Sequence, residues 1–185
     1  MPKVAARLSD LIRKDDPIVK YGEPVLREVA KPVLEVGEDM PEFVQQMERI
    51  MREASGVGLA APQLGIGQRV LVYDVGEGIH AMINPKILRA SGEQLDPPEG
   101  CLSIPGLRGV VKRSNEIVVK AQDESGRPIR VRAEGYAARV IQHEVDHLDG
   151  ILFIDRADPS TLHWITKEEE EAEEAESEDG ASLEE

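Results

Sequence analysis

His143-Glu144-Val145-Asp146-His147 is the stretch whose residue types and spacing point most directly to chemistry. A helix advances about 3.6 residues per turn, so histidines four apart leave one face and can together hold a divalent cation of the zinc or ferrous kind. Glu144 stands beside the first ligand but off its axis, where it would act on a water held by the cation instead of ligating. The pattern is that of a metallohydrolase. Two histidines do not complete a site, and the residues offer two kinds of third ligand. Cys101, the chain's single cysteine, lies in the polar, glycine-bearing segment Glu99-Gly100-Cys101-Leu102-Ser103-Ile104-Pro105, where a thiolate could approach a metal. The alternative is a glutamate downstream of His147, but the first dense supply begins at Glu168, inside a solvated run of charge.

The elements that must position these groups follow from periodicity. Residues 135–148 read as a helix in which Tyr136, Ala137, Val140, Ile141 and Leu148 form an apolar side, the two histidines continue its buried flank, and Gly150 is a stop. A second helix is expected from Pro41 to Ala54, capped by Asp39, with Phe43, Val44, Met47, Ile50 and Met51 at intervals of three and four. Gly56 to Gly65 reads as a shaped loop, because glycine and proline interrupt both regular structures. Strands are predicted over 69–74 and 81–88, and 115–122 with 128–134 form a hairpin across Asp123-Glu124-Ser125-Gly126. Asp158-Pro159-Ser160 could open a last helix, which Trp164 would pin to the body. The fold class expected is α+β, with antiparallel sheets packed around a central helix carrying the H-E-x-x-H motif.

The chain has 185 residues and a formal charge of −14. Residues 167–185 hold one lysine against eleven acidic side chains, so the first 166 residues carry 21 basic and 25 acidic groups, a net of −4. The reading is one catalytic domain over 1–166 and an acidic tail over 167–185, disordered or frayed. A single cysteine excludes an internal disulfide, and neither an apolar signal segment nor a membrane-length stretch is present. A cytoplasmic location is expected, without membrane association or direct nucleic-acid binding.

Gly56-Val57-Gly58-Leu59-Ala60-Ala61-Pro62-Gln63, Glu99-Gly100-Cys101-Leu102-Ser103 and Gln142-His143-Glu144-Val145-Asp146-His147 resemble, in order and spacing, the three signature motifs of the bacterial peptide deformylases. The likeness extends over about residues 17–156, through Tyr21-Gly22-Glu23-Pro24 and Asp149 to Asp155. It implies that Cys101, His143 and His147 bind one metal, Fe(II) physiologically with Zn(II) or Ni(II) able to replace it. It also implies that Glu144 is the catalytic base and acid, that the Gln63 side chain and the Leu102 amide stabilise an oxyanion, and that Gly58 contacts the substrate backbone. The reaction implied is removal of the formyl group from the N-terminal formylmethionine of nascent chains, releasing formate, with metal-bound water attacking the formyl carbonyl.

The chemistry of the residues agrees. A formamide carbonyl is small enough to meet a nucleophile at an open coordination position, while an amide donor shares the charge developing on oxygen. Glycines at 56 and 58 would let an extended peptide approach as an added strand. Val57, Tyr136 and Val140 are candidates to line an apolar methionine pocket, and Arg108 with Glu99 a structural pair near Cys101. His80 and His163 lack ligand-spaced partners. Many family members end in a basic C-terminal helix associated with ribosome docking; the ribosome is a candidate partner here too, but residues 167–185 are acidic, so docking through that element is not expected.

Overall fold

The computed structural model describes residues 7–95 and 97–166; the acidic tail over 167–185 lies outside the described residues. Along the chain come α1 (Met40–Glu53), β1 (Gly58–Ala60), β2 (Val70–Tyr73), β3 (His80–Ser91), β4 (Glu99–Cys101) and β5 (Ile104–Gly109). They are followed by β6 (Glu116–Gln122), β7 (Pro128–Glu134), α2 (Gly135–Leu148) and β8 (His163–Trp164). Five strands form one antiparallel sheet in the order β1-β2-β3-β6-β7, and β4-β5-β8 form a second. This is the α+β architecture expected. Among the described residues no helix is long and apolar enough to cross a membrane.

Strand alternation divides the core. Val70 and Val72 share a cluster with Phe43, Met47, Ile50 and Met51 of α1, whereas Leu71 and Tyr73 join Ile141, Val145 and Leu148 of α2. The two helices therefore cover opposite faces of the larger sheet, and β2 is apolar on both sides for that reason. Burying side chains of the size of Ile141 or Leu148 contributes about 1.5–3 kcal/mol each, so α2 is held as a stiff platform. A third cluster, with Val19, Leu26, Leu152 and Phe153, packs around Cys101 and Ile104 and anchors the smaller sheet.

The hairpin forms as read, with Gln122 opposite Pro128 and Gly126 at φ 77° in its turn. Four local expectations change. Asp39 does not cap α1: its backbone is already helical, and its carboxylate accepts from Leu8 N at 3.1 Å. The 56–65 loop contains β1, at the edge of the larger sheet, where a glycine is tolerated. The segment around Cys101 is a tight strand pair with Cys101 opposite Ile104; three residues are too few for a period to show. Among the described residues no last helix opens at Asp158. Asp158 does accept from Ser160 N, but the turn ends at Thr161 because β5 recruits the following residues as β8, Leu107 opposite Trp164, leaving Trp164 68% exposed.

Candidate metal and catalytic site

Helix α2 presents His143 and His147 one turn apart, with ring centroids 5.0 Å from each other, and Phe153 stacks on the His143 ring from the third cluster. The end of β4 brings Cys101 up to them. Its Sγ lies 3.3 Å from His147 Nε2, and the ligand atoms of Cys101, His143 and His147 all fall within 4.8 Å of one another. His143 Nδ1 is 2.8 Å from a carboxylate oxygen of Glu99, to which it donates, which directs the other ring nitrogen to the cluster.

A cation fits this donor set. Burial alone would push the Cys101 thiol up, but the charge and hydrogen bonds of His147 and His143 outweigh it and hold the group well below the usual thiol range. Burial would likewise lower His143, yet its hydrogen bonds to Cys101 and Glu99 drive it well above the ordinary imidazole value. The buried trio thus supplies a thiolate and gathers positive charge around it, and a divalent ion replaces that proton with a stronger cation. His147 Nδ1 has no hydrogen-bond partner among the described residues, so no competing contact draws that ring away.

Glu144, 4% exposed, lies beside the trio. Burial, reinforced by Cys101 and Glu99 and opposed by the two histidines, raises its pKa, and its Oε2 has no hydrogen-bond partner among the described residues. Gly58 explains how it fits: a Cβ there would stand 2.8 Å from Glu144 Cδ. A Cβ at Gly56 would similarly meet Leu102 Cδ1 at 2.7 Å. Gln63 sits in a short 3-10 turn, Ala61–Leu64, where its Oε1 accepts from Ala60 N at 2.9 Å. That contact turns its amide nitrogen toward Cys101 Sγ and Ser103 Oγ, at 3.6 and 3.4 Å. Both contacts are long, leaving the N–H groups available to a better acceptor.

A cleft of about 830 Å³ opens over these groups, lined by Gly58, Gln63, Cys101, Leu102, His143 and Glu144. Val57 and Tyr136 also line it and are 41% and 47% exposed, as rim residues are, while Val140, 5% exposed, is shared between the cleft and the α2 core. The residues read from the sequence as metal ligands, catalytic groups and substrate contacts thus gather at one place. His80 and His163 stand apart, the first stacked on Tyr73 and the second exposed on β8.

The carboxylate of Glu99 is taken up by partners other than the Arg108 expected from the sequence. Its Oε1 accepts from Arg113 Nε at 2.8 Å and Arg139 Nη1 at 3.1 Å, and its Oε2 from Arg113 Nη2 and His143. Burial pushes its pKa up, but those bonds prevail and bring it to about 2. Arg113, Arg139 and Phe153 were not legible as site residues, since nothing in their spacing relates them to the histidines; Asp146 lay within the motif itself.

The polypeptide deformylase family model matches residues 15–163. The chain belongs to that family. A peptide deformylase of Pelotomaculum thermopropionicum is 51% identical over 76% of this chain and 90% of its own length, and one of Carboxydothermus hydrogenoformans is 47% identical over 76% and 92%. The crystal structure of the Thermotoga maritima deformylase superposes with a TM-score of 0.75 at 48% identity, over 77% of this chain and 97% of that one. Deformylases use a catalytic metal, and the Cys101, His143 and His147 cluster is where this member could hold it.

Proposed function

We infer that this deformylase removes the formyl group from the N-terminal formylmethionine of newly synthesised polypeptides, with release of formate. The observation that carries the reading is the convergence of the Cys101 sulfur from β4 with two imidazoles from α2, beside a buried carboxylate with an oxygen that has no partner among the described residues. Cys101, His143 and His147 hold one divalent cation, Fe(II), for which Zn(II) or Ni(II) can substitute. When bound, the cation acts as a Lewis acid on the formyl carbonyl and on water.

The chain's own residues do the rest. Glu144 takes a proton from the attacking water as the new C–O bond forms, and returns it to the amine nitrogen as the formyl C–N bond breaks. Its raised pKa suits both halves of that cycle, because a strongly acidic carboxyl would be a poor base. The Gln63 amide and the Leu102 N–H share the charge on the carbonyl oxygen; one such donor is worth roughly 10²- to 10³-fold in rate. Strand β1 lies at a sheet edge on the cleft, so the substrate backbone can align beside Gly58 as an added strand. Val57, Tyr136 and Val140 then receive the methionine side chain.

The catalytic domain is 1–166, acting on formylated nascent chains in the cytoplasm. The acidic tail has no assigned part in turnover or in ribosome docking. Protein prepared anaerobically with iron should release formate from a formyl-Met dipeptide; metal-loaded, folded protein that releases none would contradict the reading.

A further inference from the structure

Asp146 is the acidic position of the H-E-V-D-H stretch that neither ligates nor moves a proton, yet it is 6% exposed. Its Oδ2 accepts from Arg113 Nη1 at 2.5 Å, and Arg156 Nε and Nη2 bind its two oxygens at 2.7 and 2.8 Å. Arg113, 5% exposed, uses its other two nitrogens as a fork on Glu99, both at 2.8 Å. Glu99 in turn accepts from His143 Nδ1. The path leaves α2 at Asp146, crosses Arg113 and Glu99, and returns to α2 at His143. Glu99 also opens β4, the strand that ends in Cys101.

A buried charge network is weak support for stability, because desolvation can exceed the attraction regained. What a guanidinium supplies that an apolar side chain cannot is direction: a planar fork of donors with fixed angles. Here the fork is locked on both sides by buried carboxylates, one from the histidine helix and one from the thiolate strand. We propose that Arg113 and Asp146 form a positioning clamp for the metal centre. Asp146 sets the guanidinium, the guanidinium sets Glu99, and Glu99 sets both the His143 ring and the strand bearing Cys101. The three ligand atoms are thereby held together before the cation arrives. The inference rests on Cys101, His143 and His147 being the cation ligands, and it makes Asp146 a determinant of metal affinity although it touches none of them.

The test uses the full chain loaded anaerobically with Co(II), whose thiolate-to-cobalt absorption reports the ligand geometry. Wild-type protein should take up cobalt with that band. In Asp146→Asn, folded by circular dichroism, cobalt should bind about 10- to 100-fold more weakly, as for other groups that orient metal ligands. A chelator should strip it faster, the band should shift, and the loss in turnover should fall on kcat and not KM. If Asp146→Asn does not fold, Arg113→Lys keeps the charge without the fork and should show the same changes. Arg156→Gln, which removes the partner whose side chain is 44% exposed, should show a smaller change. Wild-type affinity, release rate and band in the variant measured, even with a lowered unfolding midpoint, would make the network structural only and overturn the clamp. Wild-type protein without cobalt uptake or thiolate band would instead remove the ligand assignment itself, before any variant is compared.

Discussion

Glu99 and Glu144 lie in the sequence on either side of His143, and both are buried, at 6% and 4% exposure. Glu99 accepts four hydrogen bonds from two arginines and a histidine, and its pKa falls to about 2. Glu144 has an oxygen with no partner among the described residues, and burial raises its pKa. The same kind of carboxyl group is thus held as an anion in one place and, in the other, left with the raised pKa that the proposed proton transfer uses. Burial acts alike on both; the number of donors aimed at each decides the outcome. In the proposed mechanism one glutamate builds the site and the other works in it.

That contrast can be broken from either side. The largest effect is expected at Glu144→Gln, which keeps the shape but loses the proton carrier: kcat should fall by about 10²- to 10⁴-fold with metal content unchanged. Near-wild-type turnover would take Glu144 out of the mechanism. Gly58→Ala should come next. The added methyl must displace Glu144, and a misplacement of about 1 Å can cost roughly 10²-fold, so kcat should drop while cobalt still binds; an unaffected rate would show that the carboxylate tolerates movement.

Glu99→Gln should behave differently in kind. Metal affinity should weaken by about 10- to 100-fold, and excess metal should restore most of the turnover. A loss of turnover that excess metal cannot recover would erase the distinction between the two glutamates. Smallest of all, removing residues 167–185 should leave turnover of a formyl-Met dipeptide unchanged, and a marked fall in kcat would bring the acidic tail into the site.

Much of this is legible in the sequence. The stripe through Val140 and Ile141 located α2, and its histidines could only face the same way. The cysteine was harder. Read alone, the segment around Cys101 left both a thiolate and a late glutamate open as third ligand, because β4 is too short for a pattern and its partner His147 is 46 residues away. The resemblance carried jointly by three motifs points to Cys101, where local physics leaves both ligands open. Asp146 illustrates a deeper limit: its position was plain, but Arg113 is 33 residues distant and has no spacing relation to it. The turn at Asp158 failed for another reason. Its capping chemistry is real, with Ser160 N and Oγ both donating to the carboxylate, but pairing with β5 overrode local propensity. Gly58 was noticed as a place for substrate to approach, while its close fit against Glu144 required the packed structure.

The most direct test of the whole account is an anaerobic titration of metal-free protein with Fe(II), following formate release from a formyl-Met dipeptide in wild type and Cys101→Ala. Wild-type activity should rise to a plateau at one equivalent of iron, and the variant should neither retain iron on desalting nor release formate. Tight, stoichiometric iron and full activity in Cys101→Ala would contradict the ligand set on which the account stands.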